Sequence, residues 1–457
     1  MIFSFFFFLS HASSILPINK SCLDTDRQFT CGEMLICNNI NYSCQFCDND
    51  SQCSSYEKDF YCRFSNQFNG NICVYEPILH QFTTYKIIGA CLICLFGIVI
   101  SLSGIDGGCL YIPVFISIIR IPMNYVSPIS SSVIFGGTFS IFLHDVCKHH
   151  SFYQRPLINY NVAAIFEPLS WIGVIFGVIL NSILPNWMFY SLNLLVLLIV
   201  SIVFLVKSIQ KFNRRNDYNE NELLSFPSSY LGPAFSRIII LIFIHSWIIY
   251  MIFPFLSGGN RFQSIATFPM CSIPYWIVTF LPILLYLILE IVFLRSLREY
   301  PVLGHNAKTG FWNFTLILLS SLVSGCISGL LGYSGEIIKG PLLGKLGLEL
   351  DETKATSNLM MFFTSLVVCI HYIANGMLDY KDFLILAGAG FISFFIGSII
   401  NKFYKKKIQN SGILNLILAI LCIAGFGGVL YFSSQNIKET VENKTYFRFH
   451  DFCMLSE

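Results

Sequence analysis

Long runs of apolar residues follow one another along most of the chain, and a polar stretch precedes them. A helix needs about twenty apolar residues to cross the hydrocarbon core of a bilayer. By that length the pattern predicts ten membrane-spanning helices, near residues 86–103, 126–146, 162–184, 188–206, 236–256, 272–294, 312–331, 354–376, 382–404 and 412–432. Two further apolar runs, residues 109–120 and 337–350, are too short to cross and predict half-length helices. The fold class is therefore an all-α polytopic membrane protein.

The two half-length helices follow glycine-rich breaks that match each other. The first break reads GIDGGCLYIP from Gly104 to Pro113, and the second reads GYSGEIIKGP from Gly332 to Pro341. An offset of 228 residues superimposes the glycines and the final proline of the two breaks. Glycine lets the backbone leave helical geometry and proline removes a backbone donor. Broken segments at matching positions in two halves are typical of a transporter's binding site.

Lysine and arginine concentrate in three loops, after residues 206, 294 and 401. Membrane proteins keep such loops in the cytoplasm. If the N-terminus is exported, this placement requires each half-length helix to count as one crossing. The halves then face opposite ways as an inverted repeat, and a chance likeness of the two breaks is the alternative. The predicted parts are a first transmembrane repeat (86–206), a cytoplasmic linker (207–235), a central helix pair (236–294), a second transmembrane repeat (312–432) and a C-terminal tail outside the cytoplasm (433–457).

The N-terminal stretch predicts export. Residues 2–9, IFSFFFFL, are too short to span a bilayer and are followed by small residues, which indicates a cleaved signal peptide over residues 1–14. The alternative is a disordered apolar N-terminus. Residues 15–82 are polar and predict a small exoplasmic domain, with possible glycosylation of the Asn-x-Ser asparagines Asn19, Asn41 and Asn49.

Cysteines explain how that domain folds. Eight of the seventeen lie within the first 73 residues, in a segment too polar to fold on buried apolar surface alone. We therefore expect four disulfides. A zinc site is the alternative, since Cys44 and Cys47 are two residues apart within the segment, but it lacks a second such pair and any histidine. The predicted disulfide cysteines are Cys22, Cys31, Cys37, Cys44, Cys47, Cys53, Cys62 and Cys73.

Composition supports the membrane assignment and narrows the function. The chain is 54% hydrophobic and 12% charged, with a mean hydropathy of +0.65, which excludes an ordinary soluble globule. Its net charge is +2 and it has no basic stripe, so nucleic acid is not an expected partner. Known catalytic motifs are absent, so we expect neither an enzyme nor a cofactor. The bilayer in question is the plasma membrane or an endomembrane.

The breaks hold the candidate binding residues for a small anion. Amides that open a helix lie at the positive end of its dipole and favour anions. Hydroxyl residues follow each break at comparable places and could donate hydrogen bonds to substrate oxygens, although they also permit close helix packing. The candidates are Gly104, Asp106, Gly107, Gly108, Ser130, Ser131 and Ser132 in the first half, and Gly332, Ser334, Gly335, Lys339, Thr356, Ser357 and Asn358 in the second.

Ionisable residues at membrane depth are costly and are therefore functional candidates. Asp106 is placed either to bind a coupling proton or cation or to cap a helix. Glu336 and Lys339 are three residues apart on one short helix and could form an internal ion pair, or Lys339 could bind the anion. Weaker candidates in other spans are His144, Asp145, His371, Glu167 and Glu290.

Three stretches resemble the sulfite exporter TauE/SafE transporters, particularly the form found in plants and protists. They are the first break with its following serines, RPLINYNVAAIFEPLSWIGVIFGVILNSILPNW (155–187) and SGLLGYSGEIIKGPLLGKLGLELDETKATSNLMMFFTS (328–365). The resemblance covers residues 86–432 and leaves the cysteine-rich segment outside. The family pattern matches Gly104, Gly107, Gly108, Pro113, Gly332, Gly335 and Pro341 at the breaks, and Thr356 and Ser357 in the helix that follows. Asp106 and Glu336 depart from the longer glycine run common in the family.

The resemblance implies an inverted-repeat carrier for sulfite, sulfonates or related organic anions, coupled to an ion gradient. We therefore expect a secondary transporter that works by alternating access at two broken helices. The expected partners are a small inorganic or organic anion, a coupling proton or cation, and the lipid bilayer. The alternative is a membrane-anchored receptor or adhesion protein that acts through the cysteine-rich domain.

Overall fold

A computed structural model of the chain describes residues 35–38, 43–54, 60–65, 70–75, 83–103, 107–149, 156–213, 237–259, 264–266, 268, 272–297, 311–345, 348, 350–409 and 413–442. Several sequence predictions lie outside these residues. They are the signal peptide, Asn19, Cys22, Cys31, Asn41, Gly104, Asp106, linker residues 214–235 and tail residues 443–457, together with the side chain of Cys37.

The cysteine-rich segment folds as two small antiparallel hairpins with a short helix between them. The elements are β1 (Ile36–Asn38), β2 (Ser43–Gln45), α1 (Asp50–Ser54), β3 (Phe60–Ser65) and β4 (Gly70–Tyr75). Disulfides Cys47–Cys62 and Cys53–Cys73 join the helix region to the second hairpin, and Cys44 is also disulfide-bonded. Disulfides rather than zinc therefore hold this segment, as predicted. Asn49 is exposed.

The cysteine-rich segment rests on the helical body. Tyr75, at the end of β4, is buried and its ring lies 4.6 Å from that of Tyr125, measured between centroids. Tyr125 belongs to the first turn of a long apolar helix, so the second hairpin is seated where that helix begins.

The remainder of the described chain is helical. The helices are α2 (Thr84–Ser103), α3 (Gly108–Val114) with a π-helical turn (Phe115–Ile119), α4 (Met123–Asp145), α5 (Tyr160–Ile183), α6 (Asn186–Asn213), α7 (Arg237–Ser257), α8 (Ile273–Leu297), α9 (Phe311–Leu331), α10 (Glu336–Lys345), α11 (Leu350–Ala374), α12 (Tyr380–Gln409) and α13 (Ile413–Glu442). Within the described residues, nine are long and apolar enough to cross a membrane.

The segment predicted near 312–331 is helical as α9 (Phe311–Leu331), and one boundary elsewhere differs from the sequence prediction. The short helix predicted over 337–350 ends at Lys345 as α10, and Leu350 already opens α11. The apolar pattern runs across that junction, so it gave no boundary there.

Helix pairing repeats when the two halves are exchanged. Helices α2–α6 form the first half and α9–α13 the second. Helix α5 packs along α9, and α12 packs along α2; likewise α4 packs along α12, and α11 along α5. The pairs α4–α11 and α6–α13 each join equivalent helices of the two halves. Every one of these pairings therefore has a counterpart or maps onto itself.

The correspondence extends to single residues. Helices α5 and α12 begin at Tyr160 and Tyr380, an offset of 220 residues that also aligns Gly177 with Gly397. A Cβ on Gly177 would meet the carbonyl oxygen of Cys326, and a Cβ on Gly397 would meet that of Ile98. Cys326 and Ile98 are related by the offset of 228 seen at the breaks. Small residues permit this close backbone approach.

The central helices α7 and α8 distinguish the halves. Both pack against α5, and α7 also packs against α11. As a result, 94% of an 18-residue apolar stretch of α5 is buried, compared with 28% of the corresponding stretch of α12. Helix α5 is the enclosed core of the bundle, and α12 keeps an apolar outer face.

Candidate functional site

The two glycine-rich breaks touch each other. Gly108 opens α3, and a Cβ placed there would lie 3.0 Å from the Cα of Tyr333 and 3.2 Å from the carbonyl oxygen of Gly332. Gly332 and Gly335 have φ angles of +80° and +70°, a backbone region that glycine adopts at low cost. The close approach and the backbone turns account for these glycines.

The first turns of α3 and α10 begin at equivalent glycines. The carbonyl of Gly107 accepts hydrogen bonds from the amides of Leu110 and Tyr111, each at 3.1 Å. The carbonyl of Gly335 accepts from the amides of Ile338 and Lys339, each at 3.2 Å. Both helices thus point their positive dipole ends back toward their own break. Gly107, Gly335 and Ser334 are all buried.

Three serines of α4 donate hydrogen bonds to backbone carbonyls, two of them to the second half of the chain. Ser130 Oγ donates to the carbonyl of Gly332 at 3.0 Å, and Ser127 Oγ donates to that of Gly329, also at 3.0 Å. Ser132 Oγ donates within its own helix to the carbonyl of Pro128 at 2.8 Å. Ser131 is buried. Ser130 therefore positions the second break, and Ser132 holds its own helix.

Thr356, Ser357 and Asn358 of α11 have different surroundings. Thr356 Oγ1 accepts a hydrogen bond from the amide of Asn159 at 3.0 Å, where α5 begins. Ser357 is 1% exposed, and its Oγ has no hydrogen-bond partner among the residues the structure describes. Asn358 is buried. Thr356 thus serves the start of α5, whereas Ser357 has a hydroxyl available for a bound ligand.

Lys339 forms an ion pair that the sequence did not indicate. Its Nζ lies 2.6 Å from Oε1 of Glu167 on α5, and the two side chains are 1% and 0% exposed. The partner expected from the sequence was Glu336, on the same short helix. That expectation is wrong, since Lys339 points across to the first half of the chain.

Two neutral side chains complete a closed network around Glu167. Thr364 Oγ1 donates to Oε2 of Glu167 at 2.8 Å, and Trp171 Nε1 donates to the same oxygen at 3.0 Å. Lys339 Nζ also lies 3.3 Å from Thr364 Oγ1. We call Glu167, Trp171, Lys339 and Thr364 the polar cluster. Sequence reasoning ranked Glu167 low, although an acid inside an apolar span is itself a signal; nothing in the sequence singled out Thr364.

When the two halves are exchanged, the positions that correspond to the polar cluster carry no charged side chain. The offset of 228 relates Lys339 to Tyr111 and Thr364 to Gly136, and the offset of 220 relates Glu167 to Ala387. Gly136 and Ala387 are in contact, so that a Cβ on Gly136 would overlap the carbonyl of Ala387. The same helix crossing therefore carries a charged cluster once and a close-packed apolar contact once.

A small cavity lies between α5, α7, α8 and α11, and its lining includes no member of the polar cluster. Its volume of about 20 Å³ suffices for one water molecule. His371 lines it, and His371 Nε2 lies 3.1 Å from the hydroxyl of Tyr250, which donates to the carbonyl of Trp171 at 2.8 Å. His371 is thus connected to the cluster's own helix through one tyrosine.

The other weaker candidates lie apart from the polar cluster. His144 Nδ1 is 3.3 Å from Oδ1 of Asp145, which also pairs with Lys148 at 2.8 Å near the exposed end of α4. Glu290 on α8 is 3% exposed, and neither carboxylate oxygen has a hydrogen-bond partner within the described part of the chain.

Comparison with known proteins agrees with this architecture. A family model described as "Sulfite exporter TauE/SafE" matches residues 88–235 and 225–427. Two Arabidopsis thaliana proteins named "Sulfite exporter TauE/SafE family protein 2" and "protein 3" are each 23% identical to this chain, over 78% and 81% of it and 83% of each relative. No solved structure matches the chain. The chain therefore belongs to the sulfite exporter TauE/SafE family and is an integral, multi-pass membrane protein.

Proposed function

We propose that this protein is a secondary transporter of small anions, with sulfite, sulfonates or related sulfur-containing organic anions as substrates, and that it is not an enzyme. The observation that carries the proposal is the contact between the two breaks, at Gly108 and Gly332. Broken helices that meet from two halves of a chain are how many secondary transporters build a site. The substrate class comes from the names of the related proteins.

The two halves act as an inverted repeat in this proposal. Its support is the helix pairing that is preserved on exchange of the halves, together with the matched contacts of Gly177 and Gly397. Rocking of one half against the other would open the site alternately to each side of the membrane. The cysteine-rich domain then lies on the exoplasmic side, and the linker after α6 lies in the cytoplasm.

The anion is held between the breaks. The positive ends of α3 and α10 favour a negative charge there. We assign Ser357 as the hydroxyl that binds the anion, because it is buried without a hydrogen-bond partner in the described residues and would donate to a substrate oxygen. Ser130 acts indirectly, by fixing the carbonyl of Gly332. Asp106 at the first break remains a proposed site for a coupling proton or cation.

The test is flux of labelled sulfite, sulfate and taurine into proteoliposomes that contain the full chain, with and without an imposed pH gradient. We expect saturable flux of at least one of these anions in the wild-type protein. Gly332→Ala should abolish it, because the new Cβ meets the backbone of Ser127 and the φ angle is positive. Gly344→Ala on α10 is the matched control, since a Cβ there meets nothing within 4 Å.

Two results would count against the proposal. Absence of flux for all three anions from folded, reconstituted protein contradicts anion transport. Equal flux in Gly332→Ala and Gly344→Ala, at matched protein content, would remove the breaks from the transport path.

A further inference from the structure

We infer that Glu167 and Lys339 form a switchable anion site, in which a proton on Glu167 releases Lys339 to bind the transported oxyanion. The inference rests on the proposed transport function and deepens it. It assigns the proton as the coupling ion, places that proton on Glu167 instead of Asp106, and assigns Lys339 as the cation that receives the substrate.

The architecture does not need these charges. Tyr111, Gly136 and Ala387 occupy the equivalent positions, and Gly136 and Ala387 pack directly against each other. The two crossings can therefore be compared directly, because these three equivalent positions carry no charged side chain. Charges retained at the other crossing, in spite of their desolvation cost, call for a role beyond holding helices together.

The geometry permits exchange of one anion for another. Lys339 Nζ makes its ionic contact with a single carboxylate oxygen, Oε1, while Oε2 is held separately by Thr364 and Trp171. A neutral Glu167 could therefore stay in place on Oε2 while Oε1 lets go of the ammonium. Lys339, without its counterion, then offers an ammonium group with three N–H donors to an oxyanion.

Few other ionisable groups surround the pair. In the described structure, Lys339 on α10 is the charged side chain in contact with Glu167, and α11 contributes Thr364. Through Trp171 the cluster also meets the rings of Tyr250 on α7 and Tyr286 on α8. His371 on α11 lies behind Tyr250, beside the water-sized cavity. Glu290, also on α8, is the remaining buried acid of the central helix pair.

The helices of the cluster come from both halves. Glu167 lies on α5 of the first half, and Lys339 lies on α10, the helix that follows the second break. Separation of the charged pair would leave both groups unpaired inside the membrane, which is strongly unfavourable. Rearrangement of the halves is therefore favourable only when the proton and the anion have both arrived or both left.

The step balances in charge and in atoms. On one side of the membrane a proton from water binds Oε1 of Glu167, its ionic contact with Lys339 breaks, and a monovalent anion from water takes that place. On the other side the anion leaves, the proton returns to water, and the pair re-forms. One proton and one monovalent anion, such as hydrogensulfite, cross together with no net charge.

The first experiment compares Glu167→Gln with wild type in proteoliposomes, using labelled sulfite. Glutamine keeps the size and the hydrogen bonds but mimics the neutral acid. We expect pH-driven accumulation to fall at least tenfold, while exchange of labelled for unlabelled sulfite persists and net flux becomes sensitive to membrane potential. The double variant Glu167→Gln/Lys339→Met should lose exchange as well.

Glu290→Gln is the matched control, since it makes the same change to a buried acid of another membrane helix. It should retain pH-driven accumulation. Accumulation by Glu167→Gln at the wild-type level, or its loss in Glu290→Gln instead, overturns the inference. Failure of the wild-type protein to move any tested anion would defeat the proposed function itself, and the inference with it.

A second measurement avoids the variants. Addition of sulfite to purified wild-type protein in weakly buffered detergent should cause uptake of about one proton per anion bound, after subtraction of the same addition to protein-free micelles. Sulfite binding without proton uptake would refute the switch even if Glu167→Gln does not fold.

Discussion

Helices α5 and α12 occupy equivalent positions in the two halves, yet they carry opposite chemistry. Helix α5 presents Glu167 to Lys339 and Thr364, whereas α12 presents Ala387 to Gly136. The apolar stretch of α5 is 94% buried, and the apolar stretch of α12 is 28% buried. The difference follows from α7 and α8, which cover α5. A charged pair can persist where protein surrounds it on all sides, and a lipid-facing helix has to make the same crossing with small apolar residues.

The strongest way to break this comparison is to remove one charge. Lys339→Met leaves the Glu167 carboxylate buried without its counterion, and we expect a loss of about 3–5 kcal/mol in unfolding free energy. Thermal or denaturant unfolding in detergent would measure it. A loss below about 1 kcal/mol would mean that Glu167 is neutral in the folded protein.

The second test places a threonine at Gly136, the position in the apolar crossing that is equivalent to Thr364. Gly136→Thr places the counterpart of Thr364 against the carbonyl of Ala387, where no room exists, and should cost about 3 kcal/mol by overpacking. Gly388→Thr, at the residue after Ala387 on α12, is the control, because a Cβ there meets nothing within 4 Å. Equal unfolding free energies for the two variants would contradict the tight contact.

Removal of a single donor should have a smaller effect. Thr364→Val keeps the shape of the side chain but deletes the hydrogen bond to Oε2 of Glu167, at a cost of about 2 kcal/mol for a bond to a charged acceptor. Ser365→Ala, next in the chain, removes a hydroxyl that bonds only within its own helix and serves as the control. A larger loss in Ser365→Ala would argue against the cluster as the source of stability.

The smallest change in stability is expected when both charges go together. Glu167→Gln/Lys339→Met removes the ion pair without leaving either charge alone, and the unfolding free energy should stay within about 1 kcal/mol of wild type. This variant sharpens the comparison most, because it makes α5 chemically similar to α12. A stable but transport-inactive protein is the expected result.

Local patterns in the sequence predicted much of this architecture. Segment length gave nine of the helices that are long enough to span, and the cysteine-rich composition indicated disulfides, of which Cys47–Cys62 and Cys53–Cys73 are formed. The matching glycines and prolines also led to the prediction of two broken helices, which stays a prediction. The segment lengths and the cysteine spacing each lie within about thirty residues, where spacing and periodicity are informative.

The polar cluster could not be predicted from local patterns, because its residues are far apart in the sequence. Glu167 and Lys339 are 172 residues apart, and Thr364 lies 197 residues from Glu167. Sequence spacing offered Glu336 as the partner, since residues three apart on a helix are neighbours. The true partner depends on α10 packing beside α5, which only the assembled halves determine. The hydroxyl of Ser357, which has no hydrogen-bond partner among the described residues, could likewise be identified only from its neighbours in the fold.

The long separation of Glu167 and Lys339 also has a consequence for biosynthesis. At roughly 5–20 residues per second, the ribosome adds the 172 residues between them over a time on the order of ten seconds or more. During that interval α5 is already made and its acid has no counterion. A neutral carboxyl costs far less in an apolar environment than a carboxylate does. We therefore expect the nascent first half to carry an uncharged acid, and the ion pair to form when the second half has been made.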